Sequence, residues 1–122
     1  MEALASENRL PTVLVVEDEW LARAAITSVL QEDGWSVFAV SSGEEALDIL
    51  GGSTAIDLVF TDIHLAGTID GWEVGLASRE AGDTPVVYTS GKTLAHSVEP
   101  GHFFAKPYDP AVVAKAFRRL LQ

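Results

Sequence analysis

Five polar residues follow four separate apolar runs of the chain, and their side chains together suit phosphoryl chemistry. Glu17 and Asp18 follow the first run, and the later runs are followed by Asp62, Thr89 and Lys106. Three carboxylates in one place repel one another unless a cation joins them, and hard oxygen ligands of this kind suit Mg²⁺. A lysine charge and a hydroxyl donor can hold phosphoryl oxygens. Because a carboxylate can act as the nucleophile, the set predicts a magnesium-dependent site with Asp62 as phosphoryl acceptor.

Short apolar runs alternate with helix-like stretches along the chain, and these elements must position the five side chains. Apolar runs predict strands at 13–16, 36–40, 56–60, 85–88 and 102–105, and the run at 13–16 is continuously apolar, which suits a strand buried on both faces. Helical spacing of apolar residues predicts helices at 20–31, 43–50, about 70–80 and from 110 onward. On the last helix, the predicted apolar face comprises Val113, Ala116, Phe117, Leu120 and Leu121.

This alternation predicts an α/β fold with a doubly wound, five-stranded parallel sheet in the flavodoxin-like order 2-1-3-4-5. Ligands of such sheets bind at the carboxyl ends of the strands, where the strand order reverses. In that order the first and third strands are neighbours. Glu17, Asp18 and Asp62 should then converge, flanked by Thr89 and Lys106.

Each residue also has an ordinary structural explanation. Asp18 and Glu19 could simply favour the positive end of the first helix, and Asp62 could be a turn residue. Thr89 could belong to a plain loop with Ser90 and Gly91. The combination favours the functional interpretation, because four strand ends would deliver complementary groups to one edge.

Composition narrows the classes of protein that fit. The 122 residues suit one domain, expected at 11–122 after a flexible leader at 1–10. A net charge of −10 argues against direct nucleic-acid binding. The chain has no cysteine, and no apolar run is long enough to predict membrane insertion. No signal peptide is evident, so a cytoplasmic location is expected.

The motifs resemble those of the receiver domain of bacterial response regulators, a CheY-like family of two-component systems, over residues 12–121. The matching segments, in chain order, are Val13-Leu14-Val15-Val16-Glu17-Asp18-Glu19, Leu58-Val59-Phe60-Thr61-Asp62-Ile63, Asp70-Gly71, Val86-Val87-Tyr88-Thr89-Ser90-Gly91 and Lys106-Pro107-Tyr108.

The resemblance implies that Asp62 takes a phosphoryl group from a sensor histidine kinase or phosphotransfer protein. It implies Mg²⁺ ligation by Asp18, Asp62 and the backbone carbonyl of His64, with Glu17 acting mainly through water. Thr89 and Lys106 would engage the phosphoryl group. Such a domain is not an enzyme in the usual sense, since it catalyses only its own phosphorylation and a slow autodephosphorylation.

The resemblance also implies a cis bond between Lys106 and Pro107. It places Phe103 where the family often has an aromatic that changes rotamer on activation, although a core aromatic on a strand explains this residue equally well.

Two segments depart from the family pattern. The loop after Asp62, residues 64–69, looks one residue longer than usual and has Ala66 where a proline is common. Only sixteen residues separate Thr89 from Lys106. We therefore expect a short or irregular helix between the fourth and fifth strands, confined at most to 93–98.

Other functions remain open at this point. A receiver-like adaptor would bind partners without phosphorylation. An aspartate-nucleophile phosphatase would need a second aspartate two residues after Asp62, and His64 stands there. The chain ends with the last helix, which is expected for a single-domain response regulator or for a piece of a longer protein with an unknown downstream partner.

Overall fold

The computed structural model describes residues 9–92, 98 and 102–121. Its strands are Thr12–Val16 (β1), Ser36–Val40 (β2), Leu58–Asp62 (β3), Val86–Ser90 (β4) and Phe103–Ala105 (β5). Its helices are Trp20–Glu32 (α1), Gly43–Leu50 (α2), Gly71–Gly82 (α3) and Pro110–Leu120 (α4). The strands form one parallel sheet in the order β2-β1-β3-β4-β5, so the predicted fold and strand order are confirmed.

Strands β3 and β4 extend further along the chain than their apolar runs indicate. The predicted strand 56–60 is shifted by two residues, because Thr61 pairs with Tyr88 and Asp62 pairs with Thr89. The pairing uses the backbone groups of polar residues that we expected in loops. Asp62 and Thr89 therefore lie on regular strands, where ladder hydrogen bonds hold their backbones.

The sheet is covered on both faces by apolar clusters, which explains why β1 is entirely buried. On one face Trp35 and Phe60 pack edge-on against Phe117 of α4, with ring centroids 5.9 and 5.3 Å apart. On the other face Trp72 packs against Tyr88 at 4.6 Å. The prediction that Leu121 belongs to the buried face of α4 is wrong, since α4 ends at Leu120 and Leu121 is exposed.

Side-chain caps fix where three helices begin. Asp70 accepts a hydrogen bond from the Glu73 N–H, and the Glu73 carboxylate accepts one from the Asp70 N–H. This capping box makes Asp70 the N-cap of α3. Ser42 and Asp109 cap α2 and α4 in the same sense, with Pro110 at the first position of α4.

Some expectations fall outside the described residues. The short helix expected within 93–98 lies there, apart from Val98, and so does most of the leader expected at 1–10. Both stay predictions. Among the helices of the described part, none has the length and apolar character that crossing a membrane requires.

Candidate functional site

The carboxyl ends of β1 and β3 bring three carboxylates together. Glu17, Asp18 and Asp62 each offer an oxygen atom, and these atoms lie within 4.8 Å of one another. Glu17 and Asp62 are 2% and 6% exposed, whereas Asp18 is open to solvent. The convergence that the sequence predicts is therefore present in the structure.

Lys106 lies between the two buried carboxylates. Its Nζ atom is 2.7 Å from Glu17 Oε1 and 2.8 Å from Asp62 Oδ2. Burial alone would lower the pKa of Lys106, but its hydrogen bond to Asp62 and its close contact with Glu17 outweigh burial and raise that pKa. The lysine is therefore a fixed positive charge beside Asp62.

Glu17 is held by both its backbone and its side chain. Its carbonyl oxygen accepts a hydrogen bond from Arg23 Nη1, and its Oε2 atom accepts one from the Glu19 N–H. Burial raises the pKa of Glu17, and the contact with Lys106 opposes that rise. Glu17 Oε1 is buried and contacts Lys106 Nζ without the geometry of a regular hydrogen bond among the described residues.

This set of donors fits a magnesium ion. All three side chains present hard carboxylate oxygens, and Glu17 Oε1 has lone pairs that no regular hydrogen bond occupies in the described part of the chain. Mg²⁺ prefers such ligands and keeps several waters, which suits the open side at Asp18. The site therefore offers the chemistry that a small divalent cation needs.

The chain directly after Asp62 is held close to the acceptor. The His64 N–H donates to Asp62 Oδ1 at 3.2 Å, and the Gly71 N–H donates to the Ile63 carbonyl at 2.8 Å. A methyl group at Gly71 would overlap the Asp62 carbonyl oxygen and the Ile63 backbone. The Asp70-Gly71 motif thus lets α3 begin against the backbone of the acceptor.

The side chain of His64 is exposed, and it does not belong to the group of residues that could hold a metal ion, Glu17, Asp18 and Asp62. The role implied for this residue uses its backbone carbonyl, so the side-chain position does not test it.

Thr89 lies at the same edge, but its hydroxyl points to the neighbouring strand. Thr89 Oγ1 donates to the Phe104 carbonyl at 2.7 Å.

Phe103 is half-buried against the apolar cluster that contains Tyr88. The peptide bond between Lys106 and Pro107 is cis, as the resemblance implies.

Sequence reasoning missed several neighbours of the acids. Arg23 was not singled out, and Ala66 was noted only as a departure from the family pattern, although its N–H donates to Asp18 Oδ2 at 3.1 Å. A backbone donor leaves no side-chain signal in the sequence. Tyr108 was quoted only within a motif, yet burial and the charge of Glu17 raise its pKa to about 12.

The fold and site define a flavodoxin-like α/β domain with an acidic cluster and a lysine at the carboxyl ends of the strands, where the strand order reverses. The family model for the response regulator receiver domain matches residues 13–118. The chain therefore belongs to the response regulator receiver family and functions in two-component phosphorelay signalling. Receiver domains bind Mg²⁺ at an acidic site and act in general as non-enzymatic phosphoacceptors, which implies a histidine kinase or phosphotransfer partner.

Individual relatives agree with this assignment. Two-component response regulator ORR11 of Oryza sativa is 31% identical, over 91% of this chain and 81% of that protein. The aerobic respiration control protein ArcA of Escherichia coli is 29% identical over 91% of this chain, which covers only 48% of ArcA. A response regulator receiver protein from Sinorhizobium medicae superposes with a TM-score of 0.86 at 34% identity, covering 93% of this chain and 95% of that one. Neither the adaptor nor the phosphatase alternative is favoured by these similarities.

Proposed function

We propose that Asp62 is the phosphoryl acceptor of this receiver domain. An Asp62 carboxylate oxygen attacks phosphorus, the bond from phosphorus to the donor's histidine nitrogen breaks, and an aspartyl phosphate forms. The observation that carries this proposal is the buried Asp62 carboxylate 2.8 Å from Lys106 Nζ, beside Glu17 and Asp18.

Mg²⁺ is part of the proposal. Asp18 and Asp62 would hold the ion with the backbone carbonyl of His64, and Glu17 would contribute mainly through water. When bound, the ion supplies positive charge to the oxygens of the transferring group. The three carboxylates supply negative charge around Asp62, and the exposed position of Asp18 gives the site access to water. A cation that retains several waters requires both.

Lys106 and Thr89 have different parts in the proposed transfer. Lys106 already contacts Asp62 and would pair with a phosphoryl oxygen as negative charge gathers there. Thr89 would have to exchange its hydrogen bond to the Phe104 carbonyl for one to the phosphoryl group. That exchange would break the hydrogen bond between Thr89 of β4 and Phe104 of β5. The contacts of β5 would then depend on whether Asp62 is phosphorylated.

The proposed donor is a phosphohistidine of a sensor kinase or phosphotransfer protein, and the proposed location is the cytoplasm. The receiver unit is proposed to span 11–122, after a leader at 1–10. Slow loss of the phosphoryl group to water is also part of the proposal, because an aspartyl phosphate is a reactive acyl phosphate.

The test uses acetyl phosphate as a small phosphodonor with Mg²⁺, followed by intact mass measurement. We expect one phosphoryl adduct that hydroxylamine removes, and we expect none after Asp62→Asn or without metal. Asp48→Asn, at an exposed position of α2, is the matched control and should be labelled like the wild type. A wild type that takes no phosphoryl group from this donor or from a phosphohistidine donor would instead support the adaptor alternative.

A further inference from the structure

A carboxylate of helix α2 is hydrogen-bonded to the loop between β3 and α3, residues 63–70, whose Ile69 also packs against Gly43 at the start of α2. Glu44 Oε2 accepts hydrogen bonds from the Thr68 N–H at 3.3 Å and from Thr68 Oγ1 at 3.2 Å. Glu44 lies in the first turn of α2, 24 positions before Thr68 in the sequence. This carboxylate therefore connects two elements that the sheet does not join directly.

The backbone of the loop is shaped to receive this carboxylate. Gly67 has φ +98°, a conformation that side chains disfavour, and a Cβ atom there would lie 3.0 Å from Glu44 Oε2. Ile69, after Thr68, packs against the apolar cluster between the sheet and helices α2 and α3. The hydrogen bonds to Thr68 contribute to lowering the pKa of Glu44, after the contribution of its own backbone N–H.

The same loop reaches the acidic cluster on its other side. The Ala66 N–H donates to Asp18 Oδ2, one residue before the glycine that faces Glu44. Asp18 is the exposed member of the cluster, so this backbone donor is a contact that limits rotation of its carboxylate. Glu44 thus acts at the cluster through the loop rather than by contacting it.

We propose that Glu44 is a positioning residue, which clamps the β3–α3 loop so that the Ala66 N–H fixes the carboxylate of Asp18. This inference rests on the proposed acceptor site and adds a residue to it. In the free protein the clamp holds Asp18 oriented before any ligand arrives. Without it, the loop would move away from Asp18, which would then bind a divalent cation less tightly.

The test compares three variants of the whole chain by NMR amide exchange in metal-free buffer. Glu44→Ala removes the acceptor, and we expect exchange at Ala66 and Thr68 to be faster by about fivefold, the size of one net hydrogen bond. Glu44→Gln keeps an acceptor oxygen and should restore most of the protection. Glu45→Ala is the matched control, because Glu45 lies on the same turn but bonds Ser41 and Ser42 instead.

A second readout is the Mg²⁺ dissociation constant, measured by calorimetric titration. We expect it to rise by about fivefold in Glu44→Ala and to change little in the other two variants. Equal effects of Glu44→Ala and Glu45→Ala on Ala66 exchange or on Mg²⁺ binding would overturn the proposal, because charge or helix stability would explain both. If neither acetyl phosphate nor a phosphohistidine donor labels the wild type, the acceptor proposal fails, while amide exchange and Mg²⁺ binding still decide the clamp.

Discussion

Lys106 is the residue on which the electrostatics of the site depend most. One ammonium group contacts two buried carboxylates, Glu17 and Asp62, which would otherwise repel each other in a partly desolvated setting. Its backbone N–H donates to the Ser90 carbonyl, so the strand pairing of β4 with β5 sets its position. The side chain is 24% exposed, which leaves it reachable from solvent.

We predict that Lys106→Met destabilises the metal-free protein by roughly 2–3 kcal/mol, somewhat less than loss of a fully buried partner costs. The variant leaves both carboxylates without their cation. Urea denaturation of the metal-free protein measures the change, with Lys115→Met on the exposed side of α4 as control. Added Mg²⁺ should recover part of the loss. If both variants lose the same stability, Lys106 does not hold the site together.

At the scale of the elements, helix α3 is linked directly to the backbone beside the acceptor. It begins at Gly71, whose N–H donates to the carbonyl of the residue after Asp62. Asp70 and Glu73 cap this start reciprocally. The first turn of α3 therefore determines where the loop after Asp62 must end.

We predict that Asp70→Ala lowers the free energy of unfolding by about 1 kcal/mol, the usual cost of losing an N-cap. Asp70→Ser should restore most of this, because a serine hydroxyl also accepts from the third helical N–H. Urea denaturation of each variant would measure the change in the free energy of unfolding. Asp48→Ala, in the middle of α2, is the control and should change stability by less than about 0.5 kcal/mol. A similar loss in both would show that the cap contributes little.

The sequence predicted every strand and helix of the described part, because continuous apolar runs and helical spacing report burial. It misplaced the ends of β3 and β4, since Thr61 and Asp62 are buried by strand pairing and not by apolar character. The clustered acids followed from strand order alone. The Ala66 donor and the direction of the Thr89 hydroxyl did not, because backbone contacts and rotamers leave no pattern in residue types.

At the scale of the whole molecule, the acidic cluster couples cation binding to folding. The chain carries a net charge of −10, and unfolding separates the three carboxylates that the sheet holds together. An ion that binds only the folded state stabilises it by mass action.

We predict that Mg²⁺ at one hundred times its dissociation constant stabilises the fold by about 2.7 kcal/mol. Thermal unfolding with Mg²⁺ and with EDTA measures this. Asp18→Asn should abolish most of this stabilisation by Mg²⁺. Asp33→Asn is the control, because Asp33 lies at the end of α1, pairs with Arg118 and is not part of the acidic cluster, so the stabilisation should remain. An increase that survives Asp18→Asn would place the ion elsewhere.

The three tryptophans lie in three different environments, which gives the domain its own optical reporters. Trp20 is 66% exposed and begins α1 two residues after Asp18, whereas Trp35 is 4% exposed and packs on Phe117. Trp72 is the second residue of α3 and packs against Tyr88, which precedes Thr89 on β4. Emission should therefore combine a red-shifted component from Trp20 with a blue-shifted one from Trp35. Single Trp→Phe variants would then separate events at the acidic cluster from events at β4 without any added dye.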